Sequence, residues 1–277
     1  MGDFKIQYNS IFVIESLHHE RKTGTELYND IISKYELKTN GFITRLISVK
    51  NRNELISELT KIQNLVIYKK IKPIIHIECH GDENGKGIFL DPSNELVEYR
   101  EIINVLRVIN IKLRNSLIVS LGVCSGMTLL YSIDFNKPCP FFALITSNGI
   151  VSNKKVIEAY SIFYKSLLFE NDLIYAIRQI KKVDKFKLYG PERIFEIFER
   201  GFVQLMSDEL RKELIKENKL KDIESFDMNK LQTFISPQHN NGHISILNSV
   251  KNEILDLRRM FLMIDKFPDI KDRFKNN

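Results

Sequence analysis

Cysteine is scarce in this chain, and tryptophan is absent. The 277 residues contain three cysteines, Cys79, Cys124 and Cys139. An odd number of cysteines without framework spacing argues against a small disulfide-stapled secreted domain and fits a reducing compartment. We therefore expect free thiols and a cytoplasmic protein.

Long apolar runs are also missing. No stretch of about 18 consecutive apolar residues occurs, which is the length that a helix needs to cross a bilayer. The first residues do not combine a basic segment with an apolar segment, as a secretory signal would. The sequence therefore predicts neither a membrane span nor a signal peptide.

Glycine-rich phosphate-binding loops are absent too. Neither the P-loop pattern nor the dinucleotide-binding pattern of spaced glycines occurs, so no nucleotide cofactor is indicated. The chain has 41 basic and 35 acidic residues, a formal net charge of +6. From Lys185 onward 17 basic and 15 acidic residues alternate at helical spacing. Such mixing is typical of a solvated helix face, so we expect no direct nucleic-acid partner.

Two short segments of strand-forming residues are present, and each carries a reactive side chain near its end. Lys72–Gly81 is one of these segments and contains His80, and Ser116–Gly126 is the other and contains Cys124. Short apolar runs that stop at glycine favour strands buried in a parallel sheet. Because ligands bind at the carboxyl ends of such strands, the pattern predicts an imidazole and a thiol in one cleft. This is the arrangement of a cysteine nucleophile and its acid/base partner.

The residues around this pair suit the same chemistry. A strand-to-helix turn at Cys124 would direct backbone N–H groups at the sulfur and favour its thiolate form. Gly81 has no Cβ, so a substrate carbonyl could approach backbone donors there. The alternative is that Cys124 is an ordinary buried cysteine.

Metal binding is the competing chemistry. Cys79 and His80 are adjacent in a predicted strand, so their side chains point to opposite faces and do not share a tetrahedral ion easily. We expect a structural hydrogen bond for His76. His239 and His243 have a ligand-like spacing but no nearby carboxylate or cysteine, and we expect them in a loop. No metal or other cofactor is predicted.

Strands and helices alternate over the first part of the chain, which predicts an α/β fold with a mostly parallel sheet. We expect five to six strands flanked by helices, with a capping box at Thr23 and Glu26 and a helix cap at Asn51 or Asn53. Residues 125–133 are predicted to be helical, and so is the stretch from Val97 to Ile111. From Asn153 the periodicity is helical almost to the end.

We therefore divide the chain into a domain at residues 1–184 and an α-helical C-terminal region at residues 185–277. Pro191 is predicted to open a helix. The last helix carries an apolar seam, at Leu247, Val250, Ile254, Leu257, Phe261 and Ile264. This seam could pack on the chain's own core or receive a regulatory partner, and the sequence leaves both open.

Three segments of the chain, two of which contain His80 and Cys124, resemble the catalytic core of the caspase-like (clan CD) cysteine peptidases. Within that group the bacterial CHAT type is most similar. The resemblance is carried by His76–Gly81, Gly87–Asp91 and Leu117–Gly126, and by element order it covers roughly residues 10 to 182. It implies a caspase-like fold and a cysteine endopeptidase with a His80–Cys124 dyad. It also implies an oxyanion hole formed by the N–H groups of Gly81 and Cys124.

Further roles are implied by the resemblance alone. Arg21 would clamp an acidic substrate side chain, and Ser147 and Asn148, in the loop Thr146–Gly149, would line the same pocket. The substrate would be a protein, and the setting a regulated bacterial defence or cell-death pathway with a sensor partner. The alternative for Arg21 is a solvated loop charge. The alternative for the whole domain is a catalytically silent caspase-like interaction module.

Overall fold

The computed structural model describes residues 7–18, 20–91, 93–201 and 252–274. Its central element is a six-stranded sheet, and a small antiparallel sheet of three strands lies beside it. The strands, in chain order, are β1 Ser10–Glu15, β2 Ile43–Ser48, β3 Pro73–Glu78, β4 His80–Gly81, β5 Gly87–Leu90, β6 Glu95–Glu98, β7 Ile118–Gly122, β8 Ala143–Ser147 and β9 Phe186–Tyr189. The order in the large sheet is β2-β1-β3-β7-β8-β9, and the small sheet consists of β4, β5 and β6.

Helices cover both faces of the large sheet. The first is an α segment, α1 Thr23–Leu27, that continues through a π-helical turn at Tyr28–Ile32 into α2 Ser33–Lys38. The others are α3 Arg52–Lys69, α4 Tyr99–Lys112, α5 Asn153–Phe169, α6 Leu173–Ile180, α7 at residues 191–201 and α8 at residues 252–261. Two 3₁₀ helices, Gly126–Ser132 and Pro268–Phe274, complete the set within the described ranges.

The burial of the strands explains their composition. Every residue of β1, β3, β7 and β8 is buried, and most are apolar on both faces, as is typical of strands inside a parallel sheet. One core lies between the sheet and the helices α3 and α4, and the other lies on the opposite face against α1 and α5. In the large sheet, β2, β1, β3, β7 and β8 are parallel, and the edge strand β9 is antiparallel to β8. The predicted α/β fold with a mostly parallel sheet of five to six strands is confirmed.

The predicted helix from Asn153 onward is wrong at β9. This strand of four residues pairs with β8, with Phe186 opposite Ser147 and Tyr189 opposite Leu144. Four residues are too few to show a strand period, and the helical pattern on either side hides them. The division at residue 184 falls just before this strand and stays a prediction.

Four local predictions near helix ends have mixed outcomes. Asn51 caps α3, and its side chain accepts a hydrogen bond from the Glu54 N–H at 2.9 Å. The capping box at Thr23 is wrong, because the Thr23 hydroxyl donates instead to the Glu78 carboxylate at 2.6 Å. Residues after Cys124 form a 3₁₀ helix and not an α-helix, and α7 begins at Pro191 as predicted.

The described members of the C-terminal seam pack on the chain's own core. Ile254 is 7% exposed and Phe261 is fully buried. The ring of Phe261 stacks on Phe135, at 5.1 Å between ring centroids, and lies 5.6 Å from the ring of Phe195. The Ile254 side chain is therefore covered in this structure, and the docking of a regulatory partner on the last helix stays a prediction. Leu247 and Val250, like the histidine pair at 239 and 243, lie outside the described residues.

Across those same described ranges, no helix combines the length and apolar content that crossing a membrane requires.

Candidate active site

The two predicted site segments leave the sheet side by side. β3 and β7 are adjacent parallel strands, with Glu78 opposite Gly122 at their carboxyl ends. His80 follows Glu78 by two residues, and Cys124 follows Gly122 by two residues. Equal spacing from a paired position places both residues at the same edge of the sheet, and a shared cleft for their side chains stays a prediction.

Direct evidence for their proximity comes from Gly81. A Cβ atom built on Gly81 would lie 2.2 Å from the Cys124 carbonyl oxygen and 3.1 Å from Val123 Cγ1. The first distance is far below any van der Waals contact, and backbone atoms cannot move aside as a flexible side chain can. The backbone at Gly81 is therefore packed on the backbone of Cys124, and only glycine allows this approach.

Two backbone N–H groups are available beside the thiol. In the β4–β5 hairpin the Asp82 N–H donates to the Gly87 carbonyl at 3.1 Å. Successive N–H groups along a strand point in opposite directions, so the N–H of Gly81 is directed away from β5. The N–H of Cys124 makes no hydrogen bond within the part of the chain that the structure describes. They are the two N–H groups that the family resemblance implies for an oxyanion hole, and that role stays a prediction.

A tight turn presents Cys124 at the end of β7. The next residue, Ser125, has a left-handed backbone with φ of 52°, and its N–H donates to the Gly149 carbonyl at 2.9 Å. A Cβ on Gly126 would lie 2.1 Å from the Thr146 hydroxyl oxygen. The chain therefore reverses sharply after Cys124 and is fixed against the loop that follows β8.

Cys124 is the accessible thiol of the three. It is partly exposed, whereas Cys79 and Cys139 are buried. Burial raises the pKa of the Cys79 thiol well above its usual range and raises the pKa of Cys139 to about 12. The Cys124 thiol donates to the Val151 carbonyl at 3.6 Å, a weak bond that a substrate can replace.

His80 lies on the wall of a cleft of about 600 Å³. The same wall contains Gly81 and the side chains of Phe89 and Leu90. Four carboxylate residues complete much of the lining, Glu20, Asp82, Glu83 and Asp91. The cleft beside the imidazole therefore has a negative electrostatic character.

The residues predicted to bind substrate have other contacts in this structure. The Arg21 guanidinium is exposed and forms a fork with Glu26, with N···O distances of 2.7 and 2.6 Å. Ser147 is fully buried, and its hydroxyl lies 2.9 Å from the carbonyls of Val123 and Gly149. Asn148 is exposed on the surface. The substrate-binding roles of Arg21, Ser147 and Asn148 stay predictions.

Comparisons with known proteins give a structural similarity but no sequence match. No protein-family model matches the chain, and no curated protein matches its sequence. Among solved structures, the chain is similar to the caspase-1 of Spodoptera frugiperda, with 13% sequence identity and a TM-score of 0.42. The match covers 66% of this chain and 89% of that one. The assignment of chemistry to the site therefore depends on its own geometry.

A buried polar network beneath the site was not predicted from the sequence. The His76 ring lies 2.8 Å from one oxygen of Glu78, and both residues are buried, which confirms the structural hydrogen bond expected for His76. The carboxylate of Glu15, opposite Glu78 on β1, accepts from the Thr25 N–H at 3.0 Å and from the Thr25 hydroxyl at 2.6 Å. The available signal was a glutamate at the end of each of two apolar strands.

The network supports the first turn of α1 beneath the site. A Cβ on Gly24 would lie 3.0 Å from a Glu15 oxygen, and a Cβ on Gly122 would lie 2.6 Å from the Glu78 carboxyl carbon. Glycine at both places lets the backbone approach the carboxylates. Over the described residues, no group of three or more His, Cys, Asp or Glu side chains is placed to hold a metal ion.

Proposed function

We propose that this protein is a cysteine endopeptidase in which Cys124 is the nucleophile and His80 is the acid/base residue. The observation that carries the proposal is the close approach of Gly81 to the Cys124 backbone, where a Cβ on Gly81 would lie 2.2 Å from the carbonyl oxygen. This contact brings Gly81, the residue after His80, against the backbone of Cys124, which carries the thiol. A buried structural cysteine would need no such approach.

The reaction would proceed through an acyl-enzyme. The Cys124 thiolate attacks the peptide carbonyl carbon, a C–S bond forms, and the carbonyl oxygen becomes an oxyanion held by the N–H groups of Gly81 and Cys124. Collapse of this intermediate breaks the C–N bond while His80 gives a proton to the leaving amine. Water then attacks the thioester, His80 accepts its proton, and the carboxylic product leaves with the thiolate restored.

The substrate in this proposal is a protein chain, and no cofactor takes part in any step. The finer assignments rest on the sequence resemblance, namely a caspase-like peptidase of the CHAT type, with a role in regulated bacterial defence or cell death. The cytoplasmic location rests on the free cysteines.

A catalytically silent interaction module is the second candidate. It is favoured by the hydrogen bond that the Cys124 thiol donates to the Val151 carbonyl, at 3.6 Å, because this directs the thiol at a backbone acceptor and not at His80. Within the described residues, no hydrogen bond joins the His80 ring to that thiol. The two candidates differ in whether His80 activates the sulfur.

A labelling experiment separates them. The full chain is treated with a set of peptidyl chloromethyl ketones that differ in the residue before the reactive group, and labelled sites are mapped by mass spectrometry. We expect alkylation at Cys124, loss of alkylation in Cys124→Ala, and unchanged alkylation in the matched control Cys139→Ser. His80→Ala should slow labelling at least about 100-fold if it acts as acid/base partner. An equal rate in folded His80→Ala would contradict the peptidase, and cleavage of no protein substrate by a labelled enzyme would favour the silent module.

A further inference from the structure

A second cavity, of about 410 Å³, lies between α4 and the segment that follows the 3₁₀ helix Gly126–Ser132. Arg100, Asn104 and Arg107 line it from α4, where their spacing places them on one helix face. Asp134 and Lys137 line it from the other side. None of the residues that line it also lines the cleft beside His80.

Arg107 is the unusual residue in this wall, because it is a buried cation. It is 7% exposed, and it donates from Nε to the Pro138 carbonyl at 2.8 Å and from Nη1 to the Asn104 side-chain oxygen at 3.2 Å. Its Nη2 is buried and has no hydrogen-bond acceptor among the described residues. A buried N–H without an acceptor is costly, and buried guanidinium groups are normally paired with an anion.

The nearby carboxylate of Asp134 compensates the charge of Arg107 only in part. Asp134 is paired with Lys137 at 2.9 Å and also accepts from the Asn136 N–H at 3.0 Å. In the described part of the chain, no carboxylate lies within ion-pair distance of Arg107. Burial also lowers the pKa of Arg107. The reason is the same: a positive charge has been removed from water without full compensation.

The charge around the cavity favours a dianion. Three cations, Arg100, Arg107 and Lys137, stand against one carboxylate, Asp134, so two positive charges are in excess. Arg100 and Lys137 are exposed at the rim, where they could close on a ligand. A guanidinium with two N–H groups in one plane suits the oxygens of a phosphate group, and a phosphomonoester carries close to two negative charges at neutral pH.

The size of the cavity indicates more than a bare phosphate. A volume of about 410 Å³ lies in the range of sites that hold small organic ligands. The Tyr131 side chain, 79% exposed, stands at its edge, and Ile103 contributes an apolar wall. An exposed aromatic ring beside a cationic pocket suits a ligand that carries a ring of its own.

We propose that this cavity binds a small phosphorylated molecule, with its phosphate on Arg107, Arg100 and Lys137 and an apolar or ring portion against Tyr131. The proposal does not depend on the proposed peptidase activity.

Calorimetric titration of the full chain tests it, with inorganic phosphate and phenyl phosphate as the probes. We expect saturable binding of one phosphate, and tighter binding of phenyl phosphate than of inorganic phosphate. Arg100→Ala should weaken both at least about fivefold, since a charge-assisted contact is lost. Arg107→Met should abolish the binding of both probes. Tyr131→Ala should remove the preference for phenyl phosphate only.

The matched control is Lys112→Ala, because Lys112 is a cation near the end of the same helix but lines a different cavity, together with Lys70 and Arg114. It should leave both affinities unchanged. Failure of the wild-type protein to bind either probe would overturn the proposal. So would loss of binding in Lys112→Ala with retention in Arg100→Ala. Arg107→Met removes buried hydrogen bonds, so loss of binding in this variant could reflect unfolding. The Arg100→Ala variant changes an exposed residue and keeps the test decisive.

Discussion

At the scale of single residues, two glycines set how closely the backbone packs around Cys124. Gly81 approaches the Cys124 carbonyl oxygen, and Gly126 approaches the buried hydroxyl of Thr146, which is held by the Leu121 carbonyl at 2.9 Å. Neither neighbour can move aside easily, because one is backbone and the other is a bonded, buried side chain. Any Cβ at either position must therefore displace the turn that carries the thiol.

We predict that Gly81→Ala folds but loses peptide-probe labelling of Cys124 by at least about 100-fold, since a shift of the donors by about 1 Å costs that much. The matched control is Gly190→Ala, where a Cβ would meet only the Phe142 carbonyl oxygen at 3.9 Å. Labelling rates and thermal melting curves of both variants provide the measurement. A normal labelling rate in Gly81→Ala would show that the close approach has no role in the chemistry.

The buried thiols give the protein a predictable pH dependence. Cys79 and Cys139 have raised pKa values in the folded state, so they keep their protons at a pH where unfolded cysteine, with a pKa near 8.5, has lost its proton. The unfolded state then binds fewer protons, and the free energy of unfolding falls as pH rises above about 8.5. From pH 7.5 to 9.5 we expect a loss of about 1.4 kcal/mol for each thiol.

Urea unfolding in reductant at both pH values measures this loss. The double variant Cys79→Ala and Cys139→Ala should lose about 3 kcal/mol less than the wild type over the same interval. Cys124→Ala serves as the control, because it leaves both buried thiols in place, and it should keep the pH dependence that those two thiols cause. Equal pH dependence of the double variant and the wild type would contradict the assignment to buried thiols.

His80 and Cys124 could be predicted because each stands just past a short buried strand, so local sequence alone places it at a sheet edge. Glu15 and Glu78 could not, because only the pairing of β1 with β3 shows that the two carboxylates share one face. The fork of Arg21 with Glu26 was also hidden, since which charges pair depends on how the chain turns before α1.

At the scale of elements, α1 is held to the sheet by polar as well as apolar contacts. The Thr23 hydroxyl donates to Glu78 at 2.6 Å, and both residues are buried. The Thr25 N–H and hydroxyl likewise donate to the carboxylate of Glu15. Buried carboxylates need such donors, because an unpaired charge away from water is strongly unfavourable. The first turn of α1 therefore supplies donors that β1 and β3 require.

We predict that Thr23→Val, which keeps the side-chain shape, lowers the free energy of unfolding by about 2 to 3 kcal/mol, since it leaves one Glu78 oxygen without its donor. Thr60→Val is the matched control. The Thr60 hydroxyl donates to the Ile56 carbonyl within α3 and is exposed, so its loss should cost under about 0.5 kcal/mol. Urea unfolding curves of the two variants measure these changes in the free energy of unfolding. Equally small losses in both variants would show that Glu78 finds another donor.

Long helical patterns and buried apolar strands were predicted well, whereas the short strand β9 was not. The 18 residues of α3 carry a clear apolar stripe and a capping asparagine, so its start is correct. By contrast β9 has four residues, and its strand conformation comes from pairing with β8. Residues 125–133 were predicted to be helical, and Gly126–Ser132 is, but the local sequence did not indicate that the helix is of the 3₁₀ type.

At the scale of the whole molecule, the C-terminal helices complete the core on the face of α3 and α4. Phe135, from the segment after the 3₁₀ helix, stacks on Phe198 of α7 at 4.1 Å and on Phe261 of α8 at 5.1 Å. The Asn115 side chain donates to the Leu262 carbonyl at 3.1 Å. The described parts of the C-terminal region are therefore structural, and they join the loop beyond Cys124 to the end of the chain.

A pair of neighbouring substitutions on α8 tests this integration. Ile254 is 7% exposed and Leu255 is 46% exposed, so Ile254→Glu buries a charge whereas Leu255→Glu leaves it in water. We predict that Ile254→Glu lowers the free energy of unfolding by at least about 4 kcal/mol, the sum of lost apolar burial and carboxylate desolvation. Leu255→Glu should change it by under about 0.5 kcal/mol.

Thermal and urea unfolding of the two variants measure the difference, with labelling of Cys124 as a second readout. If α8 were a docking face for a regulatory partner, Ile254→Glu would keep its stability and change only the response to that partner. If α8 is core, the variant unfolds and exposes Cys79 and Cys139 to alkylation, while Leu255→Glu keeps both protected. The pattern of labelled thiols thus distinguishes a core helix from a docking helix without knowledge of any partner.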